Sequence, residues 1–394
     1  MRVAVILEQC LAPVPGGTGR YTRELAAGLV ATAPAGDRAG APPGSAATST
    51  VTGWTAWHRD TAAAVIPGVA GPRRLALPRR ALVAAWERGA GPAPRNADLV
   101  HAPTLLAPPR SGVPLVVTLH DTVPWTMPET LTPRGAAWHR RAAERAARAA
   151  ARVVVPTAAV ADELRGVLPQ LAADRVVVVG EGVAPVLATP PADADARAAR
   201  LGLPPEGYLL SLATLEPRKG LDVLLAALAA PGAPGLPLLV VGQPGWGGVD
   251  PATEAARLGL PAGRVRVLGR LPDADLAVVL HRATVLAAPS RAEGFGLPAL
   301  EAMAAGVPVV ISDAPALVEV TGGAAVVVPR GEPAALAGAL GKIVEDPEFR
   351  QHLVTVGRRR ATEFSWEATG RRLWAVYEEV VSGAAATSGD SGFR

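Results

Sequence analysis

The sequence predicts an α/β protein built from two doubly wound parallel sheets. Three observations carry that prediction. The chain has 394 residues, 49% hydrophobic and 19% charged, which suits two globular domains better than one core. Short β-branched apolar runs alternate with Ala-, Leu- and Arg-rich helical segments, as parallel strands joined by crossover helices do. Those runs form two groups, separated by the Pro- and Ala-rich residues 188–207.

In order along the chain, the first group predicts strands at 3–7, 98–101, 115–120, 152–156 and 175–179. The second predicts them at 208–213, 238–242, 265–269, 284–288, 308–311 and 324–328. Each half then supports an open sheet of about five or six strands. The expected organisation is an N-terminal domain over 1–187, a linker over 188–207, a C-terminal domain over 208–364 and a flexible tail over 382–394. Residues 33–97 are crowded with Pro, Gly, Ala and Thr and give no clear element. Aromatic residues are only 4% of the chain, so the packing should be aliphatic.

Thirty-nine Lys and Arg against 35 Asp and Glu give a net charge of +4, without the dense basic runs of a nucleic-acid stripe. No nucleic-acid partner is expected; a small anionic substrate or an anionic membrane surface would fit. The single cysteine, Cys10, permits neither an intrachain disulfide nor a structural zinc site, and a reducing, cytoplasmic setting is the simplest reading. The opening run MRVAVILEQC reads as a buried first strand, not a signal peptide, and no apolar stretch reaches the length of a membrane span.

The chemistry concentrates in PSRAEGFGLPALEAMAAGVPVV, residues 289–310. A strand ends near Ser290, a glycine loop follows, and Pro298 stands in the first turn of a helix. The amides from Gly294 through Phe295 and Gly296 to Leu297 would form the positive end of that helix, which suits phosphate or sugar oxygens. Glu293 and Glu301 stand eight residues apart; as acceptors beside an anionic ligand, they make sense when they meet hydroxyls. Phosphate charge must be met elsewhere, and Arg218 and Lys219 in the loop EPRKG supply it at a strand end. The chain holds only two lysines, Lys219 and Lys342, so a lysine here stands out against the general use of arginine.

Together with the VVGQPGWGG strand and loop, which contains Gly242, and the GGTGRYTREL start, these motifs resemble the retaining GT-B glycosyltransferases of glycosyltransferase family four, mannosyl-transferring members most of all. The resemblance runs from Gly16 to the FSWEATGRRLWAVYEEV segment. It implies two Rossmann-like domains facing across a cleft, with the helix at 365–381 returning to the first domain. It further implies that Glu301 holds the ribose hydroxyls, and that Glu293 with the amides of residues 295–297 contacts the transferred sugar and phosphate. Arg218 and Lys219 would bind the diphosphate; Gly16 and Gly17 would leave room for phosphate and acceptor. His120 matches a histidine near the anomeric centre, with Asp121 orienting it or binding acceptor. The implied donor is a nucleotide-diphosphate sugar, GDP-mannose before a UDP-sugar, and the acceptor a hydroxyl of a lipid, a saccharide or a small natural product.

Other readings are weaker. Gly17-Thr18-Gly19 lacks the full dinucleotide spacing, and no P-loop element exists. The Asp193/Asp195 and Asp273/Asp275 pairs read as linker and helix-cap residues, so neither a metal nor another cofactor is expected. Arg141, Arg145, Arg148 and Arg152 fall at helical spacing; they read first as a solvated face and second as a peripheral contact with the inner membrane. Alternative functions are a GT-B-fold epimerase or phosphorylase, or a silent sugar-nucleotide-binding subunit.

Overall fold

The computed structural model describes residues 1–36 and 47–389. The chain divides into two compact units. The first holds residues 1–125, 134–182 and the segment from Ser365 on; the second holds 126–133 and 183–364.

The first unit contains β1 (Arg2–Ile6), α1 (Gly16–Ala31), β2 (Thr50–Trp57), β3 (Ala70–Pro78), α2 (Arg79–Glu87), β4 (Leu99–Ala102), β5 (Leu115–Thr118), α3 (Pro133–Ala149), β6 (Arg152–Val155) and β7 (Val176–Val178). Seven of its strands form one parallel sheet in the order β3-β2-β1-β4-β5-β6-β7, beside a small antiparallel pair at Ala35–Gly36 and Ala47–Thr48. The second unit contains α4 (Ala194–Leu201), β8 (Leu209–Leu212), α5 (Leu221–Ala229), β9 (Leu238–Val241), β10 (Val265–Gly269), α6 (Asp273–His281), β11 (Val285–Ala288), α7 (Leu297–Ala305), β12 (Val309–Ser312) and β13 (Val326–Val328). Its six strands are parallel in the order β10-β9-β8-β11-β12-β13. The last helix, α8 (Trp366–Gly389), packs along α1 of the first unit.

Central strands such as β4, β5, β9 and β12 are buried along their whole length, which is why they read as continuous apolar runs with no alternation. Each sheet reverses its strand order at one place, between β1 and β4 or between β8 and β11. Open α/β sheets bind ligands beyond the carboxyl ends of the strands flanking such a point.

Several expectations are corrected. The featureless stretch 33–97 holds β2, β3 and α2, which bury Trp54, Leu75, Leu82 and Trp86; residues 37–46 of it lie outside the described residues. Strand β3 escapes a sequence reading because it is an edge strand that tolerates Pro72 and Pro78, and its exposed face carries no apolar alternation. The expected linker contains α4, whose Arg197 and Arg200 each reach Asp275 at 2.7 Å and so fasten it to α6. Asp273 and Asp275 lie in the first turn of α6 without capping it; Asp275 is a buried ion-pair partner. The tail is helical through Gly389, while 390–394 lie outside the described residues. The basic stripe is broken, since α3 ends at Ala149 and Arg152 sits in β6, paired with Glu379. Among the described residues no helix is long and apolar enough to cross a membrane.

Candidate active site

In the second unit the site grows from two loops at the point where the strand order reverses. After β8, residues 217–219 form a single 3-10 turn and Gly220 takes a left-handed conformation, φ +66°. A Cβ on Gly220 would lie 2.1 Å from the Pro289 carbonyl oxygen, so glycine is what lets this loop lie against the one following β11. Arg291 ties the same two loops, donating from its amide to the Arg218 carbonyl at 2.8 Å and from its guanidinium to Asp222 at 2.6 and 2.8 Å.

This approach gathers Arg218, Lys219 and Glu293. Lys219 Nζ donates to Glu293 Oε1 at 2.6 Å, and Ser290 Oγ donates to the same oxygen at 2.8 Å. Arg218 donates to Glu293 Oε2 at 3.2 Å, to the Ala292 carbonyl at 3.0 Å and to Glu216 at 2.7 Å. Burial by itself would push the Glu293 carboxyl up, but Lys219 and then Arg218 outweigh it and hold the group down at about 2. Glu293 is therefore ionised at any working pH. Lys219 uses one of its three N–H donors on Glu293 and has two to offer an anion. A small pocket here is lined by Ser211, Lys219, Ser290, Glu293, Gly296 and Leu317.

Gly296 caps α7 at φ +102°, with no side-chain cap, and a Cβ there would meet Leu317 at 2.4 Å. Gly294, Phe295 and Leu297 are buried rather than exposed, and the Phe295 ring packs edge-on against Phe364. Glu301 is also buried, at 3% exposure, because α7 is covered on nearly every face. It is the least accessible of the expected ligand side chains. Gly242 has a packing reason of its own: a Cβ there would stand 1.8 Å from the Ala213 carbonyl oxygen.

In the first unit His120 follows β5. Its Nε2 lies 2.8 Å from the Pro103 carbonyl oxygen, which only accepts, so Nε2 carries the hydrogen. Nδ1 faces the buried carboxylate of Glu181 at 3.9 Å, and the Tyr21 ring meets His120 edge-on, centroids 4.6 Å apart. Asp121 does not reach His120 in any hydrogen bond; it accepts from the Val123 amide at 3.1 Å and shapes the turn that follows. Gly16 opens α1 at φ +59°, and a Cβ on Gly17 would meet nothing within 4 Å, so no packing within the protein demands glycine there.

Ser290, Glu216, Tyr21 and Glu181 carry no separate signal in the sequence. Ser290 and Glu216 lie inside the two site motifs, so their position is visible there but their bonds are not. Tyr21 and Glu181 join His120 only through the fold, across separations that no local pattern spans. Among the described residues no group of three or more His, Cys, Asp or Glu is arranged to hold a metal ion.

Residues 15–186 match the family model Glycosyltransferase Family 4, and residues 194–360 match Glycosyl transferases group 1. The D-inositol 3-phosphate glycosyltransferase of Jonesia denitrificans is 34% identical over 312 residues, covering 72% of this chain and 70% of that protein. The chain belongs to glycosyltransferase family 4. Another family 4 relative, O-antigen chain mannosyltransferase B of Escherichia coli, is 37% identical over 165 residues, covering 41% of this chain and 43% of the relative. The match thus spans less than half the length of that relative. Among solved structures, sucrose-phosphate synthase from Thermosynechococcus elongatus superposes with a TM-score of 0.72 at 23% identity, covering 97% of this chain and all of that one. Anabaena HepE in complex with UDP-glucose gives 0.72 at 22%, covering 96% and 100%. These structures share the GT-B architecture of paired Rossmann-like domains that family 4 predicts. The protein is a glycosyltransferase.

Proposed function

We propose that this family 4 enzyme is a retaining hexosyltransferase that takes its sugar from a nucleotide-diphosphate donor without a metal ion. The observation that carries the reading is the Arg218–Lys219–Glu293 cluster at the point of strand-order reversal in the second unit. Lys219, held by Glu293, and Arg218, shared between Glu293 and Glu216, present positive charge to a diphosphate, while Glu293 and Ser290 offer acceptors to sugar hydroxyls. Electrostatic stabilisation of a departing phosphate is worth most in a site shielded from water, and all three charged side chains are at least four-fifths buried.

The proposed step breaks the bond between the anomeric carbon and the phosphate oxygen, and the electron pair leaves with the nucleotide diphosphate. Lys219 and Arg218 receive that charge. The acceptor oxygen bonds to the same face of the sugar, and its proton passes to the departing phosphate. The products are a glycoside and a nucleoside diphosphate. Glu301 would take the ribose hydroxyls from within α7, His120 would serve the anomeric centre, and Gly17 would leave room for acceptor.

The name of the Escherichia coli relative favours a mannosyl donor, whereas the HepE complex holds UDP-glucose. GDP-mannose is the first donor to test and UDP-glucose the second. The Jonesia denitrificans relative is named for an inositol phosphate, which makes a polyol phosphate the first acceptor to try before lipids and saccharides.

Calorimetry of nucleotide sugars, UDP and GDP, with chelator present, tests the reading. One sugar nucleotide should bind the wild type, and Lys219→Ala should weaken it by about tenfold or more. Binding of none of them, or binding only with added metal, would overturn the donor assignment.

A further inference from the structure

Beneath His120 runs a buried polar chain that the proposed chemistry does not use. Tyr377 Oη of α8 lies 2.5 Å from His101 Nδ1, and His101 Nε2 lies 2.9 Å from Thr118 Oγ1. Thr118 Oγ1 in turn lies 3.2 Å from Tyr21 Oη. All four residues are at most 1% exposed. They come from four elements, α8, β4, β5 and α1, and the chain ends on the ring that meets His120 edge-on.

The chemistry of each link is constrained. Burial, and then the nearness of His120, push the His101 ring down to about 3, so it is neutral and has one donor and one acceptor nitrogen. Hydroxyls stand on both sides of it and can match either tautomer, so the chain is satisfied end to end in one of two directions. A satisfied buried network is rigid, whereas a half-satisfied one costs more than an apolar core of the same shape. α8, which carries Tyr377, is itself held in place in several other ways. Trp366 packs on Tyr21 at 5.7 Å between centroids, Thr369 Oγ1 donates to the Gly180 carbonyl at 2.7 Å, and Trp374 Nε1 donates to the Leu29 carbonyl at 2.9 Å.

Resting on the reading that His120 serves the anomeric centre, we infer that Tyr21 is a positioning residue for His120, held in register by the Thr118–His101–Tyr377 chain. The hydroxyl of Tyr21 anchors its ring, and the ring edge keeps the imidazole aligned on the Pro103 carbonyl. Docking of the C-terminal helix is in this way coupled to a side chain beyond the carboxyl end of β5. Besides Tyr21, the titratable groups that face His120 are Glu181 on its Nδ1 side and His101 behind it.

The test uses Tyr21→Phe and Tyr377→Phe, which keep the packed rings and remove only the hydroxyls. Nitrogen NMR of the histidine-labelled full-length enzyme should show His120 as the Nε2–H tautomer in the wild type and as a mixture in both variants. In steady-state assays kcat should fall by about tenfold in each, with donor KM unchanged and the double variant no slower than Tyr21→Phe. An unchanged tautomer and unchanged kcat in both variants, with wild-type thermal stability, would overturn the inference. His120→Ala separates the two readings. If that variant keeps full kcat, the placing of His120 at the chemistry falls and the NMR result alone decides the positioning; if it is inactive while both tyrosine variants match wild type, only the positioning falls.

Discussion

Glu293 shows how a residue's role follows from its surroundings. A carboxyl this enclosed would ordinarily resist ionisation, yet the neighbouring Lys219 and Arg218 hold it at about 2 against an ordinary 4.5. Because the folded value is depressed, the pair contributes stability that is present above about 4.5 and is lost as pH falls towards about 2. The size of the effect is about 3 kcal/mol. Denaturant melts at a series of pH values should therefore show a steep loss in the wild type over that window and a shallower one in Glu293→Gln. At neutral pH Glu293→Gln should also be the less stable protein, since it leaves the enclosed Lys219 against a neutral partner and Arg218 with Glu216 alone. His120 belongs to the same scale: the Pro103 carbonyl selects its tautomer, a bond to a residue 17 positions away that no local pattern announces.

At the scale of elements, glycine decides how closely the two site loops pack. Gly220→Ala places a methyl group 2.1 Å from a carbonyl oxygen and forces a left-handed φ on a residue that avoids it. A loss of at least about 2 kcal/mol is expected, read as a lower thermal midpoint, with donor affinity falling alongside because the loop carries Arg218 and Lys219. Gly17→Ala makes the contrast, since its Cβ meets nothing within the protein. Its melting temperature should stay close to wild type while turnover falls, and unaltered turnover would remove Gly17 from the site. The central strands were legible because both faces of a parallel sheet are covered, which writes them as unbroken apolar runs. The edge strand β3, with its prolines and exposed face, carries no such mark.

For the molecule as a whole, removal of α8 should be costly. It buries Trp366, Leu373, Trp374, Val376, Tyr377 and Val380, each contributing about 2 kcal/mol. Their sum rivals the whole stability of a typical domain, so a chain ending at Phe364 should lose the cooperative unfolding of the first unit. The second unit, built from 126–133 and 183–364 alone, should keep its own transition in calorimetry.

Sequence by itself determined the fold class, the place of eleven strands, and the motifs that join Arg218, Lys219, Glu293 and Glu301 to family 4. Each of these is a local pattern: periodicity, punctuation by Gly and Pro, or residue types at fixed spacing. Only the tertiary structure decided that Glu293 is shared by both cations, that Glu301 is buried, that the stretch 188–207 is fastened to α6, and that Tyr377 is linked through two buried side chains, His101 and Thr118, to the ring against His120. The physical reason is distance along the chain. Pairs such as His101 with Tyr377, 276 positions apart, are set by which strands and helices become neighbours, and a short window of sequence carries no trace of that.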